Sequence, residues 1–438
     1  MKAKLASSLL AVLLATTAWG QKITEMQRDT ALGMLNQIAL DVKKHYYDPS
    51  FHGLDWDSKV LETKQRVEKS DSYGRALAEI ESLLESLKDS HTFLLPPQPA
   101  SYRFDYGWRS QPIGDVCYVT HVRPGSDAEA KGLRAGDQLL AIDGYATNRA
   151  NFSEVEYFFS TLSPQRALRL SLRDSGGKER TIEVATNIAE NGEFIKGAMH
   201  SPGGPDPFDR ARRREALRQE VNPRIVEIRD DLMILKLPVF SLSGAKIDAI
   251  VSKARRHKSL IVDLRENGGG VEEVLQQLVA RMFANRVKIG DRVGRNGRNP
   301  IDGKAQGNHF EGRVIVLVDS RSASASELFA RVIQIEKRGS VIGDVTAGRV
   351  MESKFYSYLP HPGAIATYGV YVTEADIVMT DGKRLEHTGV MPDEIVLPTA
   401  ADLARGNDPV LARAAALAGV QLTPEDAGKL LPYEWSPL

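Results

Sequence analysis

Five consecutive apolar residues, Val314-Ile315-Val316-Leu317-Val318, run into a small-residue turn from Asp319 to Glu327. Leu328-Phe329-Ala330, Val332-Ile333 and Ile335 follow at helical spacing. The run reads as a buried strand and its sequel as an amphipathic helix. A strand feeding a helix through a tight turn belongs to a layered α/β fold. The turn also brings a serine hydroxyl to a helix N-terminus, where free N–H groups and the dipole favour negative charge. An acyl-transfer nucleophile needs that environment when its oxyanion develops. Ser324-Ala325-Ser326-Glu327 equally spells a capping box, with serine at the N-cap and glutamate at N3. Alone, the turn leaves both readings open.

The α/β alternation continues across residues 224–400. Ile234-Leu235-Lys236-Leu237, Leu260 to Leu264 and Val341-Ile342-Gly343 read as strands, and Val274, Leu275, Leu278, Val279 and Met282 as a helix face. Upstream, Met34-Leu35, Ile38-Ala39, Val42, and then Leu77, Ile80, Leu83-Leu84 and Leu87, mark a helical region ended by Pro96-Pro97-Gln98-Pro99. Residues 103–188 carry short apolar runs, Val116 to Val119, Leu139 to Ile142 and Leu168 to Leu172, separated by turn residues. At 438 residues the chain has room for two or three such units, at roughly 100–200 residues each.

Lys+Arg and Asp+Glu both number 57, a balance that points to no nucleic acid and no anionic membrane surface. Lys2 and Lys4, the apolar stretch Leu5 to Ala18 and the small-residue site Ala18-Trp19-Gly20 read as a cleaved signal peptide over 1–20. The apolar stretch is too short to span a bilayer. The expectation is an exported protein, periplasmic or secreted. Cys117 is the single cysteine and sits in an apolar run, so it reads as a buried small hydrophobe. No Cys/His cluster has zinc spacing and no glycine loop has phosphate-binding spacing, so no metal or cofactor is expected.

The run Pro124-Gly125-Ser126-Asp127-Ala128, then Gly132 to Gly144, resembles the signature of PDZ domains. Those modules bind extended peptide tails as an added strand. Val262-Asp263-Leu264-Arg265-Glu266-Asn267-Gly268-Gly269-Gly270, the serine segment and Glu386-His387-Thr388-Gly389-Val390-Met391-Pro392-Asp393 occur in that order. Together with the PDZ-like run they resemble the C-terminal processing (tail-specific) serine peptidases, with their tricorn-core and retinoid-binding-protein-like branches. The resemblance covers about 75 to 397.

With the residue patterns above it gives an α/β multidomain protein: a signal peptide at 1–20, an N-terminal helical region at 21–100, a β-rich PDZ-like domain at 103–188 and a linker at 189–222. An α/β core of the ClpP/crotonase type follows at 223–400, then a C-terminal tail at 401–438 holding one short Ala-rich helix. Within 189–222, Ser201 to Pro207 excludes regular structure, and Arg210 to Glu220 reads as a solvated helix.

By resemblance, the nucleophile is Ser324, and the oxyanion hole uses Ala325 with Gly269 or its neighbour Gly268. The Ser/Lys branch carries T-x-G-K after the nucleophile helix, whereas this chain reads Thr346-Ala347-Gly348-Arg349. Arginine stays protonated and makes a poor base. The tricorn-like branch uses a histidine from a D-x-H-T pattern, matched by Asp89-Ser90-His91-Thr92, with Glu386 and Ser90 as the supporting carboxylate and hydroxyl. His91 therefore ranks first as base, Lys354 second, and His387 is a weaker rival. A histidine base leads one to expect activity rising through an apparent pKa of about 6–7.5. The expected partners are peptides or unfolded C-terminal tails. The alternative function is a degenerate peptidase fold that only binds peptides or small hydrophobic ligands.

Overall fold

The structure, a computed structural model, describes residues 22–97, 102–190, 222–304, 307–359 and 367–435. The leader at 1–20 and most of the linker, with its helix at 210–220, lie outside the described residues.

The central element is a six-stranded sheet in the order Arg224–Ile228, Leu232–Lys236, Ser259–Asp263, Arg313–Val318, Gly339–Gly343 and Glu394–Ile395. The first pair is antiparallel and the rest run parallel. Parallel strands are covered on both faces, which is why Val314–Val318 is apolar without alternation. Val314, Val316 and Val318 pack beneath the helices Gly244–Ala254, Glu272–Ala280 and Ala325–Ile335. Ile315 and Leu317 face the other way, onto Val410, Leu411, Ala414 and Ala415.

That second face corrects the reading of 401–438 as a tail with one helix. Three helices stand there, Ala400–Arg405, Pro409–Leu417 and Pro424–Leu430, and the last two complete the sheet's other hydrophobic layer. The Arg265 guanidinium pins them: it donates twice to Asp408 (2.9 and 2.8 Å), the residue that caps the middle helix. Short Ala-rich helices carry a weak periodic signal, and their stability comes from the face they bury.

A second sheet joins Phe93–Leu95, Tyr368–Met379, Val287–Gly294 and Gly297–Gly303, with Met351–Tyr358 also paired to the long strand. The helices Glu25–His45, Trp56–Lys69 and Tyr73–Glu85 pack against Tyr368, Val370 and Val372 of that strand. The N-terminal region is thus not purely helical. Phe93–Leu95 leaves the helices and pairs with Gly369 to Tyr371, tying the segment just before it to the core.

The PDZ-like unit is an antiparallel sheet in the order Trp108–Ile113, Val116–Val122, Gln138–Ile142, Ala167–Arg173 and Glu179–Ala185. Cys117 is buried in its core among Val119, Leu139, Leu170 and Leu172, as its sequence context suggested. Trp108–Ile113 lies at the sheet's edge.

Candidate active site

The parallel strands Ser259–Asp263, Arg313–Val318 and Gly339–Gly343 end on one side of the sheet. Ligands of open α/β sheets bind outside such carboxyl ends. Each strand here delivers a loop: the glycine turn 264–270, the serine turn 319–324 and the turn 344–349.

Ser324 immediately precedes the helix Ala325–Ile335, with φ 55° and ψ −118°. An ordinary N-cap sits in the extended region, so this serine occupies a strained conformation of the kind that costs about 1–3 kcal/mol and clusters at active sites. Glu327 holds it there. Its buried carboxylate accepts the Ser324 N–H (3.0 Å), the Gly348 N–H (2.8 Å), the Arg349 N–H (2.9 Å) and the Thr346 hydroxyl. Burial pushes this carboxyl up to about 7, but all four partners are donors and favour the ionised form. The glutamate of the capping box is therefore a clamp that joins two loops.

The glycine turn presses against the serine. A Cβ on Gly269 would lie 2.7 Å from the Ser324 Cβ, and Gly269 has φ +102°. Only glycine permits that approach. The Gly269 amide is already bonded to Asn267 Oδ1 (2.8 Å), so its contribution is space. Asn267 in turn donates to the Leu237 carbonyl (2.6 Å), and its own carbonyl accepts the Ala323 N–H (3.0 Å).

Ser90, His91 and Glu386 come together from opposite ends of the chain. Glu386 Oε1 accepts the Ser90 N–H (2.7 Å), and Oε2 accepts the Ser90 hydroxyl (3.0 Å) and the Val350 N–H (2.7 Å). Ser90 Oγ also lies 2.8 Å from His91 Nδ1. A hydroxyl has one proton. If it goes to the carboxylate, Nδ1 must be the donor to Oγ, and Nε2 keeps its lone pair. That is the tautomer a general base requires. Asp89 sets the segment: its Oδ1 accepts from His91 N–H (2.9 Å), Thr92 N–H (2.8 Å) and the Thr373 hydroxyl (2.6 Å).

Burial lowers His91 to about 4, with the Arg349 charge acting in the same direction and Asp89 opposing. A half-buried imidazole beside a guanidinium resists protonation, so this value lies below the near-neutral one expected from histidine alone. Burial raises Glu386 from its ordinary value, while its three hydrogen-bond donors pull it back.

The other sequence candidates stand elsewhere. Lys354 lies on the strand Met351–Tyr358, opposite Val372, with its ammonium 5.6 Å from the Tyr356 ring centroid. His387 Nε2 donates to the Lys88 carbonyl (2.8 Å). The hydroxyl of Ser324 and the His91 imidazole are not hydrogen-bonded to one another in this structure, but the two are joined through Arg349. Its carbonyl accepts the Ser324 N–H (2.9 Å) and its guanidinium donates to the Ser90 carbonyl (3.2 Å). Sequence reasoning missed Glu327 as a clamp and Asp89 as an organiser. The capping-box spelling and the Asp two residues before the histidine were their only signals.

Residues 231–396 match the model of peptidase family S41, and residues 105–170 match the PDZ domain. The S41 match covers the segment that carries Ser324 and Glu386. It is similar to the chloroplastic C-terminal processing peptidase of Tetradesmus obliquus, with 26% identity over 396 residues, covering 82% of this chain and 76% of the relative. A carboxyl-terminal-processing protease of Picosynechococcus sp. is 25% identical over 372 residues, covering 81% and 80%. Among solved structures, a photosystem II D1 C-terminal processing protease superposes with a TM-score of 0.52 at 22% identity, covering 85% of this chain and 94% of that one. This last likeness concerns the fold. The chain thus pairs a PDZ match with an S41 match, and among the described residues no helix is long and apolar enough to cross a membrane.

Proposed function

We propose that this protein is an exported serine endopeptidase that cuts peptides or unfolded C-terminal tails through an acyl-enzyme on Ser324. The hydrogen-bonded line Glu386–Ser90–His91 carries the reading. His91 Nε2 takes the Ser324 hydroxyl proton as Oγ attacks the scissile carbonyl, and returns it to the leaving amine. Glu386, acting through Ser90, stabilises the imidazolium that forms between the two steps. Ala325 N–H, at the start of the nucleophile helix, and Gly268 N–H receive the oxyanion. Catalytic hydrogen bonds are often loose before substrate arrives, so the unbonded Ser324–His91 pair is compatible with this role. Export rests on the Lys2, Lys4 and Leu5 to Ala18 pattern.

Ser324→Ala should abolish cleavage of a fluorogenic peptide library with little change in melting temperature, and a serine-directed phosphonate should label wild type at Ser324. His91→Ala should remove nearly all activity and Lys354→Ala little. Turnover by Ser324→Ala, or the reverse ranking of the two bases, would overturn the assignment. An unlabelled, inactive wild type would favour a binding protein instead.

A further inference from the structure

Arg349 is held at three points around the nucleophile and base. Its N–H is bonded to Glu327 (2.9 Å), its carbonyl to the Ser324 N–H (2.9 Å), and its guanidinium to the Ser90 carbonyl (3.2 Å). The side chain is nevertheless exposed, and among the described residues no carboxylate forms an ion pair with it. A guanidinium carries five donors, and this one spends a single nitrogen on a carbonyl.

Such a charge works against the chemistry beside it. Acylation needs His91 to become an imidazolium, and a neighbouring cation disfavours that state. The charged groups around the imidazole are Asp89 on its own segment, Glu386 acting through Ser90, and Arg349 from the turn after Gly339–Gly343. The first two favour the imidazolium and Arg349 opposes it. The opposition ends if an anion pairs with the guanidinium, whose planar fork suits a carboxylate.

We propose that Arg349 anchors a substrate carboxylate close to the scissile bond, and that this pairing releases His91 to act as the base. Arg349 is then a specificity-determining residue, and the enzyme takes peptides bearing an acid at the cut. The acid is either an Asp or Glu side chain or the free C-terminus of a short leaving segment. The inference rests on the reading of Ser324 and His91 given above.

The test uses the full chain and matched quenched peptides in two arms: Glu against Gln within two residues of the cut, and free acid against amide at a nearby C-terminus. Wild type should prefer the acid in one arm by roughly tenfold or more in kcat/KM, with part of the preference in kcat. Arg349→Gln should bring that ratio to near one, raise kcat on the neutral peptides, and move the acid limb of kcat/KM upward. Arg349→Lys should retain part of the preference. A wild-type ratio near one in both arms, or a preference that survives in Arg349→Gln, overturns the proposal while leaving the peptidase reading intact. Lost preference with an unmoved acid limb would keep the anchor and refute its action through His91. No cleavage of any peptide and no phosphonate labelling would refute both readings.

Discussion

Gly269 stands so close to Ser324 that an added Cβ would come within 2.7 Å of the serine's own Cβ. Neither side can yield cheaply: the other near atoms are the Ala323 carbonyl (3.0 Å) and the Ala325 amide (3.2 Å), both backbone. Gly269→Ala should therefore cut kcat on the order of a hundredfold or more, with a lowered melting temperature. Gly268→Ala adds its methyl to open space and should melt near wild type. Thermal melts and steady-state kinetics on the two variants check this pair.

Glu327→Gln should cost both stability and rate. A buried amide offers one acceptor oxygen to partners that are all donors, and its NH2 would face N–H groups. The expected loss is about 1–3 kcal/mol. At a temperature where the variant is fully folded, kcat should still fall while KM stays near wild type, because the strained serine loses its clamp. Equal kcat in folded Glu327→Gln would remove the clamp from the mechanism.

The pH profile should lack a near-neutral acid limb. In the proposed role of His91 as base the neutral imidazole is the active form, and His91 is lowered to about 4 by burial and then by Arg349. Activity in kcat/KM should thus be maintained as pH falls through neutrality and drop only toward about pH 4, provided the fold survives. A limb near pH 6.5, the ordinary histidine value, would contradict this placement of the ring. Glu386→Gln should leave the fold standing and lower kcat on the order of 10²–10⁴, since it removes the charge that stabilises the imidazolium.

The PDZ edge strand is not free. The carbonyls of Ser110 and Pro112 accept from Arg321 and Ser320, and Arg321 also pairs with Glu156 (2.6 Å) and lies 5.7 Å from the Phe152 ring centroid. A peptide adding to Trp108–Ile113 must displace those contacts, which stand three and four residues before Ser324. Arg321→Ala should tighten binding of tail peptides to the full-length Ser324→Ala protein, read by calorimetry. Unchanged or weaker binding would mean that tails use another surface.

The C-terminal helices should be indispensable. Leu411 is fully buried against Ile315 and Leu317, so Leu411→Ala should cost about 2–5 kcal/mol. Truncation after Arg405 would bare one whole face of the central sheet, and should yield insoluble protein. A soluble, active truncate would contradict this account.

The sequence by itself determined the parts. Apolar runs announced the buried parallel strands at 260–264, broken only by Asp263, and at 314–318, because both faces of such strands are covered. Turn chemistry and motif order nominated Ser324, His91, Ser90 and Glu386, and the T-x-G-R departure already disfavoured a lysine base. What only the tertiary structure decided is how the parts meet. Glu386 reaches Ser90 because Phe93–Leu95 pairs with the long strand Tyr368–Met379, a register no local pattern encodes. Lys354 is turned toward Tyr356 by its own strand pairing. The helices after 405 read as a loose tail because their apolar residues gain meaning only from the sheet face they cover. Hydrophobic periodicity reports which side of an element is buried; it carries no record of the distant partner that buries it.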